Sequence, residues 1–521
     1  MLGRALLSLA AVTAALAVGC GDSGRSDPAR GKAPASPLGS VGAGGGVRVY
    51  VGKAVMLPDG PPCTAELGAE GDRWCGFLAV SETGRNNLFV VNVSAVLAGV
   101  PVSCDEGDPN CLLLAREVIA DGNSWRWIYF NGDTLVYYDE TLTPRVWRPG
   151  MDGGRLLAER PDGAEMVFCA PAAVGTAVVC LELPDAQTDP SLVEAELYVG
   201  TADGESEPLL HPVDHVIVGS NETAKGVVRF KCGFPANGYV AWSTPDSLAE
   251  PEQLKLMHVD DLESSVTIAS DVFAWNVAPD GSRWDWITSI DAHGAGELDV
   301  APFPDGGEAT AVLADVVDYG VDASSALVAL TSAADAISIP DPLGAPGDQL
   351  LLDQGVQSLL KLGDAGHLAY AKQSTSKNTS DLFVTRLDGT QTCTLDATGK
   401  VPLSSLNFSN GGETLLWALA TPSGYDAFYT ALSDCSTSSL APQVMVLGWI
   451  GNETIVLVDD FDAASGAGSM RFRKVSQGGA LSAPTLVAEH VTTNAIVGST
   501  LLYTVRAGGD DDGVYVRAFG N

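Results

Sequence analysis

The sequence predicts an all-β fold: a single β-propeller of about eight four-stranded blades, with seven as the alternative count, after a signal peptide and a flexible linker. Three observations predict it. From Val47 onward, short runs alternate apolar and polar residues, Asp-Gly, Asn-Gly or Gly-Gly steps separate many of them, and sustained helical periodicity is hard to find. Gly 58 and Pro 29 make about one residue in six a turn former, which works against long helices. Segments also recur at a steady interval. Gly411-Gly412-Glu413-Thr414-Leu415-Leu416-Trp417 returns 40 residues later as Gly451-Asn452-Glu453-Thr454-Ile455-Val456-Leu457, and a shorter echo at Thr500-Leu501-Leu502 follows Thr454 by 46. Asp381-Leu382-Phe383-Val384 is matched by Asp426-Ala427-Phe428-Tyr429, 45 residues on. A period of 40–46 residues holding about four strands is a propeller signature, because such units cannot shield their apolar faces alone.

The N-terminus, residues 1–19, reads as an export signal. Arg4 supplies the positive region, and Ala5 to Val18 is small or apolar apart from Ser8 and Thr13. That run is shorter than the ~20 residues a membrane-spanning helix needs. It ends in Leu16-Ala17-Val18-Gly19-Cys20, which resembles the lipobox of bacterial lipoproteins. The resemblance implies that Cys20 is lipidated and becomes the mature N-terminus. Ala17 departs from the family's usual Leu, which stands one position earlier here. Gly21, where inner-membrane retention signals have Asp, points to the outer membrane. The alternative is cleavage after Ala17, leaving a periplasmic or secreted protein. Residues 20–46 follow as a lipidated cysteine and a Gly/Ser/Pro/Ala tether, whose composition cannot offset its ordering entropy. Residues 47–521 form the repeat domain.

Within it, each repeat reads as a strand, a Gly/Asp/Asn turn, a strongly apolar strand, a polar loop, an aromatic-centred strand and a poorer fourth strand. Middle strands covered on both faces become continuously apolar, and tight turns need positive φ, hence Gly or Asn. First strands are expected near residues 124, 154, 215, 273, 316, 357, 404, 445 and 493, with one of the closely spaced 124 and 154 counted falsely. Residues 100–125 and 180–260 look irregular. The closing blade is expected to combine the strands of 492–521 with one near Val47 to Met56, removing unpaired edges. Ala278-Pro279-Asp280-Gly281 and Arg160-Pro161-Asp162-Gly163, with Phe408-Ser409-Asn410-Gly411 as a variant, resemble the turn of TolB-like, WD40-like propeller repeats. The resemblance implies the fold and carries almost nothing on function.

Export makes disulfides permissible. Cys63/Cys75 and Cys104/Cys111 are expected to staple loops, and Cys169/Cys180 to close a hairpin between Met166-Val167-Phe168 and Ala177-Val178-Val179. Cys393 and Cys435 occupy similar places in consecutive repeats and form a fourth candidate pair. Cys232 is left over. No CxxC occurs near a His cluster, so structural disulfides outweigh a metal site.

Lys+Arg 29 against Asp+Glu 65 gives a net charge of −36, which excludes a general nucleic-acid binder and electrostatic docking on anionic lipid. There is no GxSxG elbow, Walker A or HExxH. No catalytic residues and no cofactor are implied. His211 and His215 would share a face on a regular strand, but Pro212 and the lack of a third ligand favour a loop. Asp510-Asp511-Asp512-Gly513 resembles part of a Ca²⁺ loop without its distal Glu, and Asp459-Asp460-Phe461-Asp462 is similar; both read better as hairpin tips. Trp125, Trp127, Trp284 and Trp286 could line a carbohydrate site or pack between blades. The expectation is a cell-envelope binding or scaffolding module for an unidentified protein or surface ligand, with a glycan hydrolase or lyase as the alternative.

Overall fold

A computed structural model describes residues 46–519 apart from 58–61, 65–71, 81–85, 105–107, 119–127, 142, 159–164, 184–191, 205–207, 221–229, 246–251, 289, 292–293, 345–347, 364, 374–379, 397–405, 410, 422–423, 442–443, 452, 463–464, 477–479 and 510. The export signal, Cys20, the tether up to residue 45, Trp125, Trp127, Asp510 and the Pro161-Asp162-Gly163 turn lie outside the described residues. No helix among the described residues is long and apolar enough to cross a membrane.

The described residues are nearly all-β, with one short helix, α1 (Val93–Leu97). Eight antiparallel sheets form. Six are four-stranded meanders in chain order. The first holds β2 (Ala54–Met56), β3 (Trp74–Val80), β4 (Asn86–Asn92) and β5 (Cys111–Val118). The second holds β6 (Tyr129–Asn131), β7 (Thr134–Tyr138), β8 (Pro144–Trp147) and β9 (Arg155–Leu156). Next come β10 (Glu165–Pro171), β11 (Ala177–Leu183), β12 (Leu192–Thr201) and β13 (Leu210–Ser220), then β14 (Lys231–Gly233), β15 (Tyr239–Thr244), β16 (Gln253–His258) and β17 (Ser265–Ser270). The other two are β25 (Val356–Gly363), β26 (His367–Gln373), β27 (Ser380–Arg386) and β28 (Thr392–Asp396), and β29 (Asn407–Phe408), β30 (Thr414–Thr421), β31 (Gly424–Ala431) and β32 (Ser436–Ala441).

Two sheets are seven-stranded. One runs β18 (Val272–Val277), β19 (Arg283–Thr288), β20 (Gly296–Pro302), β21 (Thr310–Val321), β22 (Leu327–Thr331), β23 (Asp335–Ile339), β24 (Leu350–Gln354). The other runs β33 (Met445–Ile450), β34 (Thr454–Asp462), β35 (Ala467–Lys474), β36 (Thr485–Val497), β37 (Thr500–Val505), β38 (Gly513–Ala518), β1 (Val47–Val51). Each contains two blade-type meanders sharing one long strand, β21 of 12 residues and β36 of 13. The all-β, propeller-type meanders are as expected, but two of the eight sheets hold two meanders each. Counted as meanders, with each shared strand used twice, the described residues hold ten. The first strand of the chain lies beside the last, as expected, and Gly52 N–H donates to the Asp512 carbonyl at 2.9 Å. The Val47–Met56 stretch divides, however, since β2 opens the next sheet.

The chain splits into two compact units, Arg48–Phe273 with Asp510–Val516, and Ala274–Gly509. Within each, consecutive meanders pack face to face. In the first unit, Leu135 and Tyr137 of β7 join Leu78 and Leu88 in one core, while Val136 and Tyr138 join Val178 and Cys180 in the next. In the second, Leu327 and Ala329 of β22 pack with Leu298 and Val300, and Val328 and Leu330 with Leu368 and Tyr370. Alternate residues of one strand therefore enter different cores, which is why second strands are buried end to end: β7, β22 and β37 are entirely so. Fourth strands close the stack and stay wet, as in β17 and β24.

A single left-handed residue joins one meander to the next wherever the join is described without a long loop. Asp271, Asp315, Gly355 and His490 have φ of 62°, 59°, 69° and 57°. Each is followed by a buried valine, Val272, Val316, Val356 or Val491, that begins the next first strand. Asp and His tolerate this region better than most side chains, and Gly occupies it freely.

One expectation for strand phase fails: residue 215 lies in β13, a fourth strand rather than a first. Residue 154 precedes β9, also a fourth strand, which makes it the false one of the closely spaced pair. Their β-prone residues resemble a blade's opening strand, and the true openers, β10 and β14, begin after residues that lie outside the described set. The 180–260 stretch is also more regular than expected, since it contains β12 to β16.

Candidate functional site

Four disulfides form as paired in the sequence reading: Cys63–Cys75, Cys104–Cys111, Cys169–Cys180 and Cys393–Cys435. Cys169 and Cys180 face each other directly across β10 and β11, with Cα atoms 4.1 Å apart. No cysteine among the described residues is a free thiol, so Cys232 is not a spare one. These bonds point to an oxidising, extracytoplasmic compartment.

The histidine pair does not converge. His211 and His215 lie on β13, a strand rather than a loop, and a bulge at Val213 shifts its register. His211 is opposite Val199 and His215 opposite Glu196, three residues apart on β12, so the imidazoles fall on opposite faces. Asp214 between them accepts from Trp242 Nε1 at 2.8 Å and Lys255 Nζ at 3.0 Å, tying β13 to the following sheet. No group of three His, Cys, Asp or Glu among the described residues is placed to hold a metal ion. Asp511 and Asp512 use their carbonyls: Tyr515 donates to Asp511 at 2.8 Å, and Asp512 accepts from Gly52. Asp459 receives both contacts of Arg471 Nε, at 2.6 and 2.8 Å.

Trp284 and Trp286 do share one face of β19, but they are 0% and 3% exposed. Trp284 packs edge-on to Trp275 and donates to the Pro304 carbonyl at 3.1 Å. They are blade packing, not a carbohydrate platform. The other face of β19 carries a buried ion pair, Arg283 Nε to Asp285 Oδ1 at 2.6 Å. Burial pushes the Asp285 carboxyl up to about 6 even though Arg283 pulls it down. Tyr319 donates to the Asp285 carbonyl at 2.8 Å, and burial raises its phenol well above the ordinary range.

What the fold assembles instead is a row of first strands and the turns that follow them. In the second unit, Lys361 Nζ on β25 donates to the Leu406 carbonyl at 3.0 Å, and Trp449 Nε1 on β33 donates to the Asn407 carbonyl at 3.3 Å. Gly363 lies against Phe408, where a Cβ would sit 2.8 Å from the ring, so the strand needs glycine there. First-to-second turns of neighbouring sheets touch as well. Asn131 Nδ2 donates to the Pro171 carbonyl at 2.7 Å, and Asp280 N–H to Ser325 Oγ at 3.4 Å. Charged residues on the first strands are few: Glu165, Lys231, Asp318 and Lys361, each in a different meander. Burial pushes the Lys231 ammonium down to about 8.

A recurring turn consumes acids. Asp280, Asp322, Asp388 and Asp434 accept from the backbone N–H two residues on, at 2.9–3.0 Å, and Asp280, Asp322 and Asp388 also accept from that residue's hydroxyl at 2.6–2.7 Å. Asp139 does the same with Thr141 and adds Arg145 Nε at 2.6 Å. Sequence reading missed this Asp-x-Ser/Thr signal, which marks the turns as clearly as Asp-Gly does.

No family model and no curated protein matches the sequence. Among solved structures, the chain is similar to a prolyl endopeptidase (12% identity, 72% of this chain and 52% of that one, TM-score 0.37). It is also similar to a eukaryotic initiation factor (9%, 80% and 96%, 0.45) and to an oligogalacturonate lyase in complex with manganese (10%, 73% and 98%, 0.36). The chain spans about half the length of the prolyl endopeptidase it matches. A fourth likeness is to the β-propeller domain of the Trilobed protease from Pyrococcus furiosus (8%, 64% and 97%, 0.33). Values this low support no argument about activity, substrate or partner.

Proposed function

We propose that the protein is a cell-envelope lipoprotein, anchored to the outer membrane through Cys20, whose blade-type sheets form a binding or scaffolding module for an envelope protein or surface ligand. One observation carries the reading: in the second unit the first strands β25, β29 and β33 are cross-braced, and the described first strands carry only four scattered charged residues, which suits a shaped surface rather than a catalytic cluster. The disulfides and the lipobox-like Leu16-Ala17-Val18-Gly19-Cys20 support the location. With a net charge of −36, the partner is neutral or basic. The glycan hydrolase or lyase alternative draws no support from Trp284 and Trp286, which are buried.

The test has two arms. Full-length protein and Cys20→Ser are expressed in a bacterial host with labelled fatty acid, and the mature N-terminus is read by mass spectrometry. Label on the wild type alone is expected; an unmodified end at Val18 removes the anchor. Capture from detergent-solubilised envelopes should then recover one partner whose binding to the purified protein weakens with salt. No such partner, together with measured turnover of a glycan, overturns the binding reading.

A further inference from the structure

We propose that the Cys393–Cys435 disulfide is a redox-released clasp between two neighbouring sheets, opened by a dithiol reductant while the buried disulfides stay closed. Of the four bonds formed wholly among the described residues, three close short stretches of 7–12 residues. Cys393–Cys435 spans 42. Cys393 sits on β28, the fourth strand of its meander, and Cys435 in the turn leading into β32, the fourth strand of the next. The bond therefore joins two sheets whose shared core contains Leu382, Val384, Leu415 and Trp417.

Among the described residues, the other contacts at this rim are those of Gln391 and of the two sulfurs themselves. Gln391 Nε2 donates to the Ser433 carbonyl at 3.2 Å, an exposed contact. Cys435 is half-buried and flanked by the exposed Asp434 and Ser436, so one sulfur can be approached from solvent. Cys63, Cys75, Cys169 and Cys180 are all 4% exposed or less. Cys104 is also half-buried, but its bond to Cys111 closes a loop of 7 residues, and its sulfur reaches a neighbouring sheet only through a long contact to the Val49 carbonyl of β1 at 3.6 Å.

The step balances without a further reactant. A thiolate of the dithiol attacks Cys435 Sγ, the sulfur–sulfur bond breaks, and Cys393 leaves as a thiolate that takes up a proton. The reductant's second thiol then attacks the mixed disulfide and releases Cys435 as a thiol. The protein gains two electrons and two protons, and the dithiol becomes a disulfide. A Cys-x-x-Cys protein of the envelope has this chemistry.

The experiment treats the folded protein with limiting dithiothreitol, traps thiols by alkylation and maps them by mass spectrometry, with hydrogen exchange measured in parallel. Cys393 and Cys435 should label at least about tenfold faster than Cys63, Cys75, Cys169 and Cys180. Exchange should quicken in β28 and in β31–β32 while β10–β11 stays protected. Simultaneous labelling of the buried pairs overturns the proposal, and so does reduction that leaves exchange in both sheets unchanged. The Cys393→Ser/Cys435→Ser variant should reproduce the reduced exchange pattern without reductant. If it does not fold, the labelling and exchange of the native chain still decide.

Discussion

The Arg283–Asp285 pair allows the sharpest test of how the second strands are built. Their side chains are 4% and 0% exposed, at the start of a strand whose next residues, Trp284, Trp286 and Ile287, are buried and apolar. Removing one partner leaves the other charge buried without compensation, which costs about 3–5 kcal/mol. Asp285→Ala should therefore lose about that much, whereas Arg283→Met/Asp285→Leu should be near neutral or more stable. The titration adds a signed prediction. The folded carboxyl is held at about 6, above its ordinary 3.8, so folding favours the protonated form. This group's contribution is complete below pH ~4 and is lost as pH rises through about 6, a change of about 3 kcal/mol. Asp285→Asn cannot titrate, so its stability relative to the wild type should rise between pH 4 and pH 6. Urea unfolding followed by the fluorescence of Trp284 and Trp286 measures both effects. A loss below ~1 kcal/mol for Asp285→Ala, or a difference from Asp285→Asn that is flat with pH, refutes the reasoning.

Gly355→Ala places a side chain at φ 69° with only Lys372 Cε near its Cβ, at 3.8 Å, so it should cost about 1–2 kcal/mol from backbone strain alone, read by denaturant midpoint. Removing Cys393–Cys435 should cost about 4 kcal/mol in loop entropy against about 2.5 for Cys104–Cys111, compared by unfolding of the two double-serine variants. For Asp139, burial raises the carboxyl, but hydrogen bonds from Thr141, Arg145 and Thr143 outweigh it and hold the group below its ordinary value. Its stabilisation is present above pH ~4 and lost as pH falls through the depressed folded value, so Asp139→Asn should flatten the acid limb of the stability profile.

How much of this was legible depended on whether a residue's role was local. Second strands such as Thr134 to Tyr138 and Leu327 to Thr331 were legible because burial on two faces leaves a continuous, mostly apolar run. Cys169 and Cys180 were legible because a hairpin puts residues flanking a tight turn opposite each other. The histidines were not, because one inserted residue at Val213 reverses which face His215 takes, and alternation alone does not reveal an insertion. Trp284 and Trp286 were placed on a common face, but only the packing of Trp275 and Phe303 against Trp284 shows that the face is closed. The join between meanders was visible and missed: Asp271-Val272, Asp315-Val316, Gly355-Val356 and His490-Val491 recur at blade spacing or a multiple of it and mark the start of four first strands.

The acidity itself needs a second reading. An excess of 36 negative charges looks like a signal about the partner, and part of it is. Yet Asp139, Asp280, Asp322, Asp388 and Asp434 are spent on turn amides, and Asp214, Asp353 and Asp459 on Lys or Arg. A fold with a tight turn every dozen residues or so selects Asp for its side-chain acceptor, whatever the protein binds. At Asp511 and Asp512 the backbone carbonyls are used instead, the first by Tyr515 and the second by Gly52 where β1 lies beside β38. By contrast, the wet fourth strands β17 and β32 read Ser-Val-Thr-Ile-Ala-Ser and Ser-Thr-Ser-Ser-Leu-Ala, without a single charge. On the proposed binding role, net charge would bias encounter with a partner, while the chemistry of contact would be set by the sparsely charged first strands and the loops that join them.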